Sequence, residues 1–102
     1  MTTIDSYIST PGEILKEEFL EPLGISQYKL AKTICKPQSA ISEIVNGQRA
    51  ISPEMAVLLG RALGTSPDFW LRLEATYRLK TFDNKAHRID DIPVLVSTNQ
   101  QL

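Results

Sequence analysis

Apolar residues recur at three- and four-residue intervals in five separate blocks of this chain, the spacing of amphipathic helices with one buried face. Ile14, Leu15, Phe19 and Leu23 form the first block, Leu30, Ala31 and Ile34 the second, and Ile41, Ile44 and Val45 the third. Met55, Leu58, Leu59, Ala62 and Leu63 make the fourth; Phe69, Trp70, Leu73 and Tyr77, extended by Phe82, make the fifth. Punctuation between the blocks is regular. Thr10-Pro11, Ser52-Pro53 and Ser66-Pro67 each set a capping hydroxyl before a proline at the first helical position. Glu13, Glu54 and Asp68 then bring negative charge into the first turn, and Thr10 with Glu13 has the spacing of a capping box. Gly24, Gly47 and Gly64 stand where helices should close on a left-handed residue. The pattern predicts helices over 11–22, 27–34, 38–46, 53–63 and 67–81. That is an all-α, five-helix domain at 10–82, preceded by a segment 1–9 and followed by a tail 83–102. In the tail, Ile92-Pro93-Val94-Leu95-Val96 is apolar and partly β-branched and can be extended, although Pro93 confines it to a sheet edge or to no sheet.

The third helix, within "KPQSAISEIVNGQ", is unusual in its polar side. At about 100° per residue, Ile41, Ile44 and Val45 point one way while Ser39, Ser42, Glu43 and Asn46 point the other, with Gln38 at the flank. A merely solvated face is better built from Lys and Glu, which are stronger helix formers. Uncharged amides and hydroxyls, which both donate and accept hydrogen bonds, suit a surface that reads another molecule. The short second helix and a connection of about three residues precede it. This is the helix-turn-helix arrangement, whose second helix lies in the major groove with its N-terminal residues on base edges. Gln pairs bidentately with adenine, Ser approaches either partner, and a methyl such as that of Ala40 can touch thymine. Gln27, opening the second helix, suits a phosphate. Two short helices joined by a turn also occur in plain bundles, where such Ser and Asn residues are only solvated, and Asn46-Gly47 serves equally as a helix stop.

Composition narrows the choice. A chain of 102 residues is one domain and can fold without staples. Cys35 is the only cysteine and His87 the only histidine, which argues against a disulfide or a metal site. Cys35 is expected as a small buried residue and His87 as an exposed one. No apolar run approaches the ~18 residues of a membrane span. "MTTIDSYIST" has neither a basic nor an apolar signal region, so a cytoplasmic location is expected. The net charge of −1 is unevenly spread: residues 1–25 carry −4 and residues 52–102 balance. Residues 26–51 carry +3, with Lys29, Lys32, Lys36 and Arg49 against Glu43 alone. The positive segment is the helix-turn-helix itself. Glu13, Glu17, Glu18 and Glu21 cluster, but nothing in the pattern provides the pocket or perturbed titration of an enzyme; neither catalysis nor a cofactor is expected.

Three stretches, "TPGEILKEEFLEPLGISQYKLAKTI", "ISEIVNGQRAIS" and "ALGTSPDFWLRLEATYRL", resemble the HigA-type antitoxins of the Cro-like (XRE) helix-turn-helix group over about residues 9–80. The resemblance implies a dimer that represses its own promoter at a palindromic operator in double-stranded DNA. It also implies a second partner, a HigB/RelE-like toxin that cleaves mRNA on the ribosome. Carried over by position, Gln27 is a phosphate contact, Gln38 and Ser39 are base readers, and Ser42 and Asn46 continue along the groove. Lys36 and Arg49 complete the expected DNA-binding set. Glu74 stands where relatives often have Gln, Arg78 where an acidic residue is common, and Lys36 where an apolar one is usual. Dimer contacts are expected from residues left over once the core is filled: Trp70 and Tyr77 of helix five, and Ile92 and Val94 of the tail. Of Phe69 and Trp70, one is expected in the core and the other shared with a partner. A stand-alone Cro-like regulator without a toxin, or an interaction module that no longer binds DNA, fits the same pattern.

Overall fold

In the computed structural model, residues 9–96 are described. The first helix, α1, opens on the expected capping box. The Thr10 hydroxyl accepts from the Glu13 amide at 3.0 Å, and the Glu13 carboxylate accepts from the Thr10 amide at 3.0 Å. It runs as three consecutive segments, Pro11–Ile14, Leu15–Leu20 and Glu21–Leu23, and the middle one winds as a π-helix. A wider turn carries residue i+5, not i+4, back towards residue i. Leu20 therefore joins Leu15 in the core, and Leu23, placed inside by regular helical spacing, is 60% exposed.

The remaining helices keep close to their expected limits: α2 Gln27–Thr33, α3 Gln38–Val45, α4 Pro53–Leu63 and α5 Pro67–Thr81. Ser26, Ser52 and Ser66 accept from the amides of Lys29, Met55 and Phe69, so α2, α4 and α5 all start on a hydroxyl cap. Gly24 and Gly64 end α1 and α4 at φ 66° and 77°, and Gly47 follows α3 at 78°. Cys35 also takes a left-handed φ of 59°, in the turn between α2 and α3. Contrary to expectation it is exposed, because the reversal turns its side chain away from the core while Ile34 beside it goes inward.

The centre of the core is Leu15, Leu30, Ile41, Ile44, Leu59 and Trp70, drawn from all five helices and fully buried. Phe19, Phe69 and Trp70 pack as a trio with ring centroids 4.9–5.9 Å apart, which fastens α5 to α1. The Trp70 indole N–H is satisfied by the Thr65 hydroxyl at 2.7 Å. Helix α1 also crosses α3 at backbone contact: a Cβ built on Gly12 would lie 1.8 Å from the carbonyl oxygen of Ile44.

After α5 the chain leaves the core, and every residue from Arg78 to Val96 is exposed. Asp83 caps a tight turn by accepting from the amides of Lys85 and Ala86. The exposed ring of His87 stacks on Phe82 at 4.4 Å, and a single 3-10 turn, Ile89–Asp91, follows. No strand forms among the described residues, so the Ile92–Val96 run is irregular.

Candidate nucleic-acid interface

Helices α2 and α3 are joined by a turn held by two backbone bonds. The Cys35 amide donates to the Lys32 carbonyl, and the Lys36 amide to the Ala31 carbonyl. Leu30, Ala31 and Ile34 of α2 and Ala40, Ile41 and Ile44 of α3 face inward and fix the rotation of both helices. The start of α3 is thereby presented outward. Gln38 and Ser39 are exposed, and their side chains form no hydrogen bond within the described residues. Ala40 does not join them. It is 6% exposed and its methyl belongs to the core, so it cannot serve as the thymine contact its position suggested.

Further along the same side, the Ser42 hydroxyl donates to Gln27 Oε1 at 3.0 Å and joins α3 to the first residue of α2. Glu43 accepts from Arg49 Nε at 2.8 Å and Nη2 at 2.6 Å. Asn46 is exposed and ends the helix. Lys36 Nζ pairs with the Glu54 carboxylate at 3.1 Å. Both cations expected to meet phosphate, Lys36 and Arg49, thus already hold carboxylates. Pairs this open to solvent contribute about 0–1 kcal/mol, so a phosphate can displace the carboxylate at small cost.

A residue that departs from the resembled pattern also shapes this region. Glu74, on α5, has a side chain 13% exposed; its Oε1 accepts from the Ile51 amide at 2.9 Å and its Oε2 from Arg78 Nε at 2.6 Å. It ties the loop carrying Arg49 to α5, and the two departures at 74 and 78 are partners. Tyr77 is half-buried, with the Arg78 guanidinium 5.7 Å from its ring, in a cleft shared with Thr10, Gly12, Gly47 and Arg49. The expected dimer residues do not form one patch. Trp70 is 0% exposed and offers nothing to a partner, because the aromatic trio consumes it, whereas Ile92 and Val94 are 63% and 72% exposed.

The helix-turn-helix family profile matches residues 16–70. Virulence-associated protein A of Dichelobacter nodosus is 51% identical over 70 residues, 68% of this chain and 69% of that protein. Antitoxin HigA-1 of Vibrio cholerae is 41% identical over 63 residues, 62% of this chain and 59% of the relative. Among solved structures, the Pseudomonas aeruginosa antitoxin HigA with the higBA promoter superposes with a TM-score of 0.80 at 37% identity, covering 88% of this chain and 100% of that one.

Proposed function

The chain belongs to the helix-turn-helix family, in its Cro-like (XRE) branch with the HigA antitoxins, and from that premise we propose that it is a dimeric, operator-binding antitoxin that represses its own promoter and neutralises a RelE-like toxin. The observation that carries the DNA reading is the outward pair Gln38 and Ser39, with hydrogen-bonding groups unused by the described part of the protein. An amide that both donates and accepts matches N6 and N7 of adenine in the major groove. Gln27, Lys36 and Arg49 border this pair and supply phosphate contacts, which fix register without reading sequence. That a similar antitoxin was solved with promoter DNA supports the same use of the same fold. The antitoxin role is supported by the HigA relatives, and such a role requires a toxin partner; that this toxin is RelE-like and cleaves mRNA is part of the proposal.

Titration of the protein against a duplex of its own promoter and a scrambled duplex, at several salt concentrations, tests the DNA reading. The promoter should bind more tightly, with log affinity falling linearly as log salt rises. Equal, weak binding to both duplexes would leave an interaction module. Growth arrest by the product of an adjacent reading frame, relieved by this protein, tests the antitoxin role; the absence of such a toxin would leave a stand-alone regulator.

A further inference from the structure

Ser42 lies on the groove-facing side of α3 and by position would be counted among the base readers. Its hydroxyl is instead committed to Gln27, the residue that opens the preceding helix, at 3.0 Å. A primary amide has two unlike ends, an acceptor oxygen and a donor NH2. Only the donor end can approach a phosphate, and a free glutamine presents either end. By donating to Oε1, Ser42 holds the oxygen against α3 and leaves Nε2 directed away from it. We infer that Ser42 is a positioning residue, which orients the Gln27 amide so that its NH2 donates to a backbone phosphate oxygen. The inference rests on the DNA-reading function proposed above and refines it: base recognition is left to Gln38 and Ser39, and Ser42 contributes to sequence-independent affinity.

The partly buried setting of this hydrogen bond supports that division. Both residues are half-exposed, so the amide is held at one edge yet reachable at the other. Among the described residues the Gln27 side chain has no other hydrogen-bond partner, and Glu43, the next carboxylate along α3, is occupied by Arg49. Fixing one rotamer-rich side chain before binding removes an ordering cost that corresponds to about a 2- to 10-fold change in affinity.

The test compares wild type with Ser42→Ala, Ser42→Thr, Gln27→Ala and the double Gln27→Ala, Ser42→Ala variant on promoter and scrambled duplexes. Ser42→Ala should weaken both duplexes by the same factor, about 2- to 10-fold. Ser42→Thr, which keeps the hydroxyl, should restore binding, and Ser42→Ala should add nothing once Gln27 is Ala. A loss confined to the promoter and additive with Gln27→Ala would make Ser42 a base reader in its own right and overturn the inference. No loss on either duplex would overturn it as well. A second readout needs no DNA: in NMR spectra of the free protein, Ser42→Ala should shift the Gln27 side-chain NH2 resonances and Ser42→Thr should restore them. Unchanged resonances in Ser42→Ala would refute the orienting contact. If wild type fails to distinguish promoter from scrambled duplex, the DNA reading falls, while the resonances still decide whether Ser42 orients Gln27.

Discussion

Gln38 and Arg49 both lie on the side proposed to face DNA but should fail differently when removed. Gln38 is exposed and its side chain is unengaged by the described residues, which leaves its amide available for a base edge. Gln38→Ala should cost ~1–3 kcal/mol of discrimination between promoter and scrambled duplex, with little change on the latter. Arg49 is paired with Glu43 and would have to leave it to reach DNA, where the proposed contact is with charge rather than sequence. Arg49→Ala should weaken both duplexes similarly and reduce the salt slope by about 1. If the two variants lose affinity in the same way, Gln38 is not a base reader. Glu74 behaves differently again because one of its two partners is the backbone amide of Ile51, a residue only 3% exposed. Glu74→Ala strands that amide and should destabilise by about 1–3 kcal/mol in urea unfolding. Glu74→Gln retains an acceptor and should lose clearly less. Equal losses would mean that the Arg78 pair, not the amide, is what matters.

Among the elements, the crossing of α1 over α3 is the contact with least tolerance. It brings the backbone of Gly12 against the carbonyl of Ile44, an atom held in the recognition helix and unable to rotate aside. Gly12→Ala should therefore force the helices apart and cost about 3 kcal/mol or more, at the upper end of overpacking effects. Gly24→Ala meets no atom within 4 Å and suffers only from its φ of 66°. Its cost should be nearer ~1 kcal/mol. Thermal unfolding of the two variants separates them, and a Gly12→Ala protein as stable as Gly24→Ala would show that the crossing can relax. Because α3 is held on this side by α1 and on another by the Glu74 tether to its following loop, its orientation is set by the core rather than by its own length of eight residues.

At the scale of the molecule, most of the exposed apolar side chains among the described residues lie beyond the middle of α5. Leu79, Phe82, Ile92, Val94, Leu95 and Val96 are all at least 46% exposed, more than isolated surface hydrophobics require. A single short recognition helix gains affinity by pairing with a second one about a helical turn of DNA away. Sedimentation at micromolar concentration should thus give a two-fold dimer, weakened by Val94→Asp and Leu95→Asp together; a monomer in wild type would remove the proposal. Toxin neutralisation should be separable from DNA binding, since Gln38 and Ser39 occupy one narrow exposed patch. A Gln38→Ala, Ser39→Ala variant, matched in amount to wild type, should still protect cells from the proposed toxin. Growth arrest there would place the toxin on the DNA-reading helix.

The sequence by itself determined the five helices, their hydroxyl caps at Thr10, Ser52 and Ser66, their glycine ends and the outward placement of Gln38 and Ser39. These depend on interactions within three or four residues and on a helical period that a linear pattern records. Tertiary structure decided the rest. The π-turn in α1 exchanged Leu23 for Leu20, since a widened turn breaks the period from which burial is inferred. The aromatic trio drew Trp70 wholly inside, because burial of a large ring depends on which other helices arrive beside it. The left-handed turn exposed Cys35, and the rotation of α3 that buries Ile41 and Ile44 took Ala40 from the groove. The contacts of Ser42 with Gln27 and of Glu74 with Ile51 span 15 and 23 residues of chain. No local spacing encodes such pairs; they exist because packing of apolar faces elsewhere brings their polar ends within hydrogen-bonding distance.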